Sequence, residues 1–194
     1  MIATISMAKS GFYKQTVEEI NSEMDLVKAA QDNPRLFEPL YTRYYKQIAS
    51  YIYHRIESKE EAFEITAQVF YKALENLPKY KIQGLPFSAW LFRIASNELN
   101  KRFKKEKTNR VVAMDDEGFE ELKLDMEETT DHLDGKLFEA LSELKAEEME
   151  LIDMRFFEKR SFKEIAEICE IGESACKLRV YRIIEKLRTK LKNF

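Results

Sequence analysis

The segment SFKEIAEICEIGESACKLRVYRIIEKLR, residues 161–188, leaves a chain of this kind little choice of fold. Two helical patterns meet at a tight turn, and the second continues into a row of cations. Ser161 and Glu164 stand at capping-box spacing, so the first helix begins at about Phe162. Ile165, Ala166 and Ile168 make its inward face, and Cys169 closes it. Glu170, Ile171 and Gly172 form the turn, with Ile171 pointing inward and Gly172 serving as N-cap of the next helix. Cys176, Val180, Ile183, Ile184 and Leu187 then recur at intervals of three and four, one buried stripe. Opposite it stand Glu173, Ser174, Lys177, Arg179, Tyr181 and Arg182. From Lys177 to Phe194 there are seven Lys or Arg against one acid, Glu185. An ordinary solvated helix pair accounts for any one of these features. Cap, plug, turn and basic face together predict a helix-turn-helix whose second helix enters a DNA groove.

The rest of the chain is also expected to be helical, because only five of its 194 residues are Gly and four are Pro. A net charge of −3 argues against nucleic acid until it is divided along the chain. Residues 24–110 hold 16 cations and 10 acids, residues 111–135 hold 1 and 10, and residues 136–194 hold 13 and 12. The expected organisation is all-α: an extension (1–23), a helical domain (24–110), a flexible acidic linker (111–135) and the helix-turn-helix domain (136–194). Residues 1–23 show weak periodicity, and Met24 stands just before the first strong pattern, so it is a conceivable start. The alternative is a short accessory helix around Gln15–Glu23. No apolar run approaches the roughly 18 residues of a membrane span, and the first residues lack a basic leader. The expectation is a cytoplasmic protein without membrane insertion. Cys169 and Cys176 occupy inward positions with no CxxC and no nearby His, which favours small buried fillers over zinc or redox chemistry.

In the first domain, Asn33 can cap and Pro34 can open a helix lined by Phe37, Leu40, Tyr41, Tyr44, Ile48, Tyr51 and Ile52. Ser58 with Glu61 is a second capping box and opens the helix 60–77, with Ala62, Ile65, Val69, Phe70 and Ala73 inward. After a loop at 79–86 comes PFSAWLFRIASNELNKRFKK, buried through Phe87, Trp90, Leu91, Ile94 and Leu99.

These blocks carry a family resemblance. EEAFEITAQVFYKALENL, then PFSAWLFRIASNELNKRFKK, then the helix-turn-helix resemble, in that order, a bacterial RNA polymerase sigma factor of the extracytoplasmic-function type. PFSAWLFRIASN is close to the family's F-x-A-W-L-x-R-I-A-x-N. The resemblance implies that the helix 60–77 meets core RNA polymerase, with Glu61, Glu64, Gln68 and Phe70 at the contact. It implies that the loop 79–86 and the following helix open promoter DNA near its minus-ten element. Tyr80 and Trp90 are then candidates for an unpaired base. Arg93, Asn97, Lys101, Arg102, Lys104 and Lys105 are candidates for the melted strand and its phosphates. Glu173, Ser174, Lys177, Arg179, Tyr181 and Arg182 would read the minus-thirty-five element, Arg179 foremost because Arg can meet guanine O6 and N7 together. Lys186 and Arg188 would take phosphates. The structural reading stays beside each: Trp90 as core, Arg93 and Asn97 as bundle contacts, the acids of helix 60–77 as a solvated face.

The chain departs from the family at Ala67 and Gln68, at Lys101, at Glu170 in place of the usual turn glycine, and at Leu178 in place of a small polar residue. The resemblance implies that the acidic strap threads into the polymerase cleft, and in the free protein it could fold back over the basic faces. His54 and His132 lie in different segments with no nucleophile or carboxylate motif around them. The expectation is therefore no enzyme, no cofactor and no metal. Core RNA polymerase, promoter DNA and an anti-sigma factor are the implied partners. A stand-alone helix-turn-helix regulator is the competing reading.

Overall fold

The computed structural model describes residues 17–56, 58–81, 84–106, 116–126 and 134–192. Every regular element among them is helical, in agreement with the all-α expectation. The order is α1 (Val17–Asp32), α2 (Glu38–Tyr53), α3 (Lys59–Asn76), α4 (Phe87–Glu106), α5 (Asp116–Asp125), α6 (Asp134–Ser142), α7 (Ala146–Ile152), α8 (Phe162–Ile168) and α9 (Glu173–Lys192).

α1 to α4 form the first bundle. Asn33 caps as expected, accepting from the Arg35 N–H at 3.2 Å, but the turn it opens is a short 3-10 segment, Pro34–Phe37, that runs into α2. Leu40, Tyr44, Ile48, Tyr51 and Ile52 then bury one stripe against α3 and α4. The boundary expected at Met24 falls inside α1. Glu23, just before it, is only 1% exposed: the Phe87 N–H at the start of α4 donates to it at 2.8 Å, and the Tyr44 hydroxyl donates to its other oxygen. A carboxylate from α1 thus caps α4, where the helix dipole favours an anion. The α3–α4 connection is pinned by Gln31, whose side-chain amide donates to the Leu77 carbonyl at 2.9 Å and the Tyr80 carbonyl at 2.8 Å.

The strap holds a helix. α5 interrupts the stretch expected to be a flexible linker, with Leu122 and Met126 buried. The cause is an apolar i,i+4 pair that burial rewards even among acids. Arg188 of α9 closes the end of α5, donating to the Asp125 carbonyl at 2.9 Å and the Met126 carbonyl at 3.0 Å.

In the second half, Ser161 and Glu164 form the expected reciprocal capping box. The turn after α8 is a Schellman motif: Ile171 N–H reaches the Ala166 carbonyl at 2.9 Å and Glu170 N–H the Glu167 carbonyl at 3.4 Å. Glu170 holds the left-handed position, φ 54°, that glycine normally takes. Cys176, Val180, Ile183, Ile184 and Leu187 are all buried, so the stripe read from the sequence faces the core.

The two halves pack together, α4 against α8. Their contact is rich in buried charge. Arg55, after α2, lies 3.6 Å over the Tyr51 ring and pairs with Asp153 and, at 3.5 Å, with Glu158. Arg160 lies 3.8 Å over Phe92 and donates to Ser88 at 3.4 Å and Glu164 at 3.0 Å. Ser96 donates to Glu150. A five-residue π-helical turn, Asp153–Phe157, carries the chain from α7 towards α8 within this seam.

Candidate nucleic-acid interface

α9 presents its cationic face because Cys176, Val180, Ile183, Ile184, Leu187 and Leu191 bury the opposite stripe. Glu173, Ser174, Lys177, Arg179, Tyr181 and Arg182 are all exposed. Glu173 and Lys177 form an i,i+4 pair at 2.7 Å, and that carboxylate raises the Lys177 ammonium above its ordinary value. Tyr181 leans towards Phe162 of α8, ring centres 6.2 Å apart. The two further cations singled out on this helix are engaged within the protein: Lys186 pairs with Glu148 at 2.7 Å, and Arg188 holds the end of α5. Burial pushes the Glu148 carboxyl up, but Lys186 and the Lys145 N–H outweigh it, leaving the group below its usual range.

On α4 the aromatic group is layered. Trp90 is 7% exposed and stacks behind Tyr80 at 4.5 Å, with Phe87 at 5.3 Å. Trp90 therefore offers no open face to a base: its ring fills the gap between the α3–α4 connection and the bundle. Tyr80 is the half-buried member of the group. Burial pushes its hydroxyl up to about 12, with Glu23 and Glu167 adding to the shift and Arg93 opposing it.

The cations of α4 are mostly engaged. Arg93 pairs with Glu167 of α8 at 2.7 Å and with Glu170 at 3.8 Å. Lys101 is exposed and lies 2.9 Å from Glu98, which also takes Lys72 at 2.7 Å. Arg102 gives both Nε and Nη2 to Glu61. The Ser58 box on α3 is thus half formed: Ser58 accepts from the Glu61 N–H at 3.2 Å, while the Glu61 carboxylate turns to Arg102. Lys104 and Lys105 lie on α4, but their side chains fall outside the described residues.

Asn97 faces an open cleft of about 690 Å³ between the halves. Asn97 and Asn100 line it from α4, Arg179, Arg182 and Lys186 from α9, and Glu147 and Glu148 from α7. Residues expected to hold melted DNA and residues expected to read a distant duplex element therefore share one wall-to-wall space.

Among the residues expected to meet the polymerase, Glu64 and Gln68 are exposed and Glu61 is half-buried. Phe70 is not available. It is 4% exposed and packs on Tyr41 at 4.8 Å and Tyr45 at 6.1 Å, because it shares the inward arc of α3 with Thr66 and Ala73. The aromatics that α3 exposes are Phe63 (59%) and Tyr71 (61%), with Leu74 beside them at 37%. Sequence reasoning missed them, although Phe63, Ala67, Tyr71 and Leu74 recur at four, four and three residues on the face opposite Ala62, Val69 and Ala73. No helix among the described residues is long and apolar enough to cross a membrane.

Residues 40–108 match the family model Sigma-70 region 2, and residues 134–187 match Sigma-70, region 4. The chain is 31% identical over 149 residues to RNA polymerase sigma factor SigV of Bacillus subtilis, covering 76% of this chain and 84% of that protein. It is 29% identical over 174 residues to ECF RNA polymerase sigma factor BldN of Streptomyces coelicolor, covering 84% of this chain and 64% of BldN, so it spans just under two thirds of that relative. Among solved structures, CnrH in complex with the cytosolic domain of CnrY shares the fold, with a TM-score of 0.55 at 21% identity over 87% of this chain and 96% of that one. The sigma factor RpoE with the anti-sigma factor NepR from Bartonella quintana gives 0.54 at 21% identity over 80% of this chain and 96% of that one.

Proposed function

The chain belongs to the RNA polymerase sigma factors of extracytoplasmic-function type, and from that premise we propose how its two halves divide the work of promoter recognition. Bound to core RNA polymerase, the chain recognises promoter DNA at two elements and opens it for initiation. α3 meets the polymerase through Glu64, Gln68 and its exposed aromatic stripe. α4 and the connection before it hold the melted strand, with Tyr80 as the aromatic that meets a base. α9 enters the major groove of the upstream element through Lys177, Arg179 and Arg182. The chain performs no chemistry of its own and works in the cytoplasm, where polymerase and chromosome meet. A protein of anti-sigma type is a further partner on this reading, as NepR is for RpoE.

The observation that carries the reading is the pairing of an exposed cationic face on α9 with a region 2-like bundle in the same chain. The closed packing has a mechanical consequence. Elements some 25 base pairs apart lie about 85 Å apart along B-form DNA, whereas Arg93 of α4 touches Glu167 of α8. Both faces can be used together only after the α4–α8 contact separates. The segment from 107 to 133 extends to at most about 90 Å, enough to span the gap if α5 unwinds from Arg188. Polymerase supplies the fixed separation, so that two weak contacts combine.

The experiment is a pull-down with core polymerase, wild type against a Phe63→Ala, Tyr71→Ala variant. The reading expects retention of the wild type and loss of the variant. A chain that binds duplex DNA tightly alone and ignores polymerase would instead be the stand-alone regulator.

A further inference from the structure

We propose that Leu178 reads thymine: it sets an apolar contact against a 5-methyl group in the major groove, so the upstream element must carry an A·T pair beneath it. The proposal deepens the promoter reading above and rests on it.

The argument starts from helix geometry. With 3.6 residues per turn, the buried residues Cys176, Val180, Ile183 and Leu187 define one side of α9, and Leu178 falls almost diametrically opposite. Its neighbours three and four residues away are Ser174, Ala175, Tyr181 and Arg182, and all are exposed. Leu178 itself is 51% exposed. A leucine there adds nothing to the fold, and a polar residue would be better solvated.

Its surroundings name the ligand. Lys177, Arg179 and Arg182 frame it with positive charge, the complement of two phosphate walls. Ser174 and Ala175 are small, so the first turns of the helix can sit deep in a groove. Tyr181 tilts aside towards Phe162, which leaves Leu178 at the centre. At the floor of the major groove the apolar group that marks sequence is the thymine methyl, while G·C pairs present donors and acceptors that a leucine cannot satisfy. A polar side chain at this position would read hydrogen bonds, whereas Leu178 reads a methyl and rejects an unmet polar edge.

The test uses holoenzyme assembled from the full chain and core polymerase. Its preferred upstream element is selected from a randomised library, and each thymine in it is then replaced singly by deoxyuridine, which removes the methyl and keeps every hydrogen bond. At fixed salt, wild type is expected to lose about three- to fivefold in affinity at one thymine, the worth of one buried methyl. Leu178→Ser is expected to bind thymine and deoxyuridine there equally, with unchanged melting temperature and polymerase retention. Indifference to every methyl, or a Leu178→Ser variant that keeps the wild-type sensitivity, overturns the proposal while leaving the sigma reading intact. Selection of no upstream element overturns both. Retained promoter specificity with lost capture of another protein by Leu178→Ser would make the residue a protein contact and also overturn it.

Discussion

Arg102 of α4 clasps Glu61 of α3 with two donors, its Nη2 lying 2.8 Å from one carboxylate oxygen. The family resemblance sets these residues against different partners, DNA and polymerase, yet in the free chain each holds the other. The pair is half-buried and bidentate, above the median for surface ion pairs. A double-mutant cycle of Glu61→Ala and Arg102→Ala, followed by chemical denaturation, is expected to give a coupling of about 1 kcal/mol. A coupling near zero would mean that water separates the two side chains.

Arg55 is expected to govern the seam between the halves. It is 4% exposed and faces Asp153 and Glu158 across the junction. Arg55→Ala leaves two carboxylates buried without their cation, a loss on the order of 3–5 kcal/mol if the seam stayed shut. The halves should instead part. Small-angle scattering is expected to show a larger radius of gyration for the variant, and the free variant should bind duplex DNA more tightly than wild type at the same salt. An unchanged radius would place the cost of Arg55 elsewhere.

Glu170 sits at φ 54°, where an L-residue is strained by roughly 1–2 kcal/mol. Glycine relieves that strain and adds freedom to the unfolded chain. Glu170→Gly is therefore expected to raise stability by up to about 1 kcal/mol. Its contact with Arg93, 3.8 Å long with the Glu170 side chain mostly exposed, contributes little to offset this. A variant less stable than wild type would show that the Arg93 contact matters more than the backbone.

Tyr80 ties stability to high pH. Its hydroxyl is pushed up to about 12, chiefly by burial, against an ordinary value of about 10. The folded state holds the proton more tightly than the unfolded one, so this contribution is complete below about pH 10 and is lost as pH rises towards 12. Tyr80→Phe is expected to flatten the fall in stability across that window, measured by denaturant titration at a series of pH values. Parallel curves for variant and wild type would contradict the assignment.

Much of this fold was legible where periodicity and caps agree. The α8–α9 turn came from Ser161, Glu164, Ile171 and the stripe of α9, all of them local signals. What was not legible depends on distant partners. Nothing near Glu23 announces that its carboxylate will cap α4, 64 residues away. Nothing in Arg55 foretells Asp153. Phe70 was legible as inward from its spacing with Ala73, and the structure buries it there, while only the family resemblance set it at a polymerase contact. Leu122 and Met126 were hidden by the charge around them, since net charge describes a segment and burial is decided residue by residue.

Run-off transcription with core polymerase and a promoter library tests the central claim most directly. The account predicts discrete start sites that appear only when the chain is added, preceded by two elements at a constant spacing. Transcripts absent at every promoter, together with tight binding of the chain alone to duplex DNA, would contradict it.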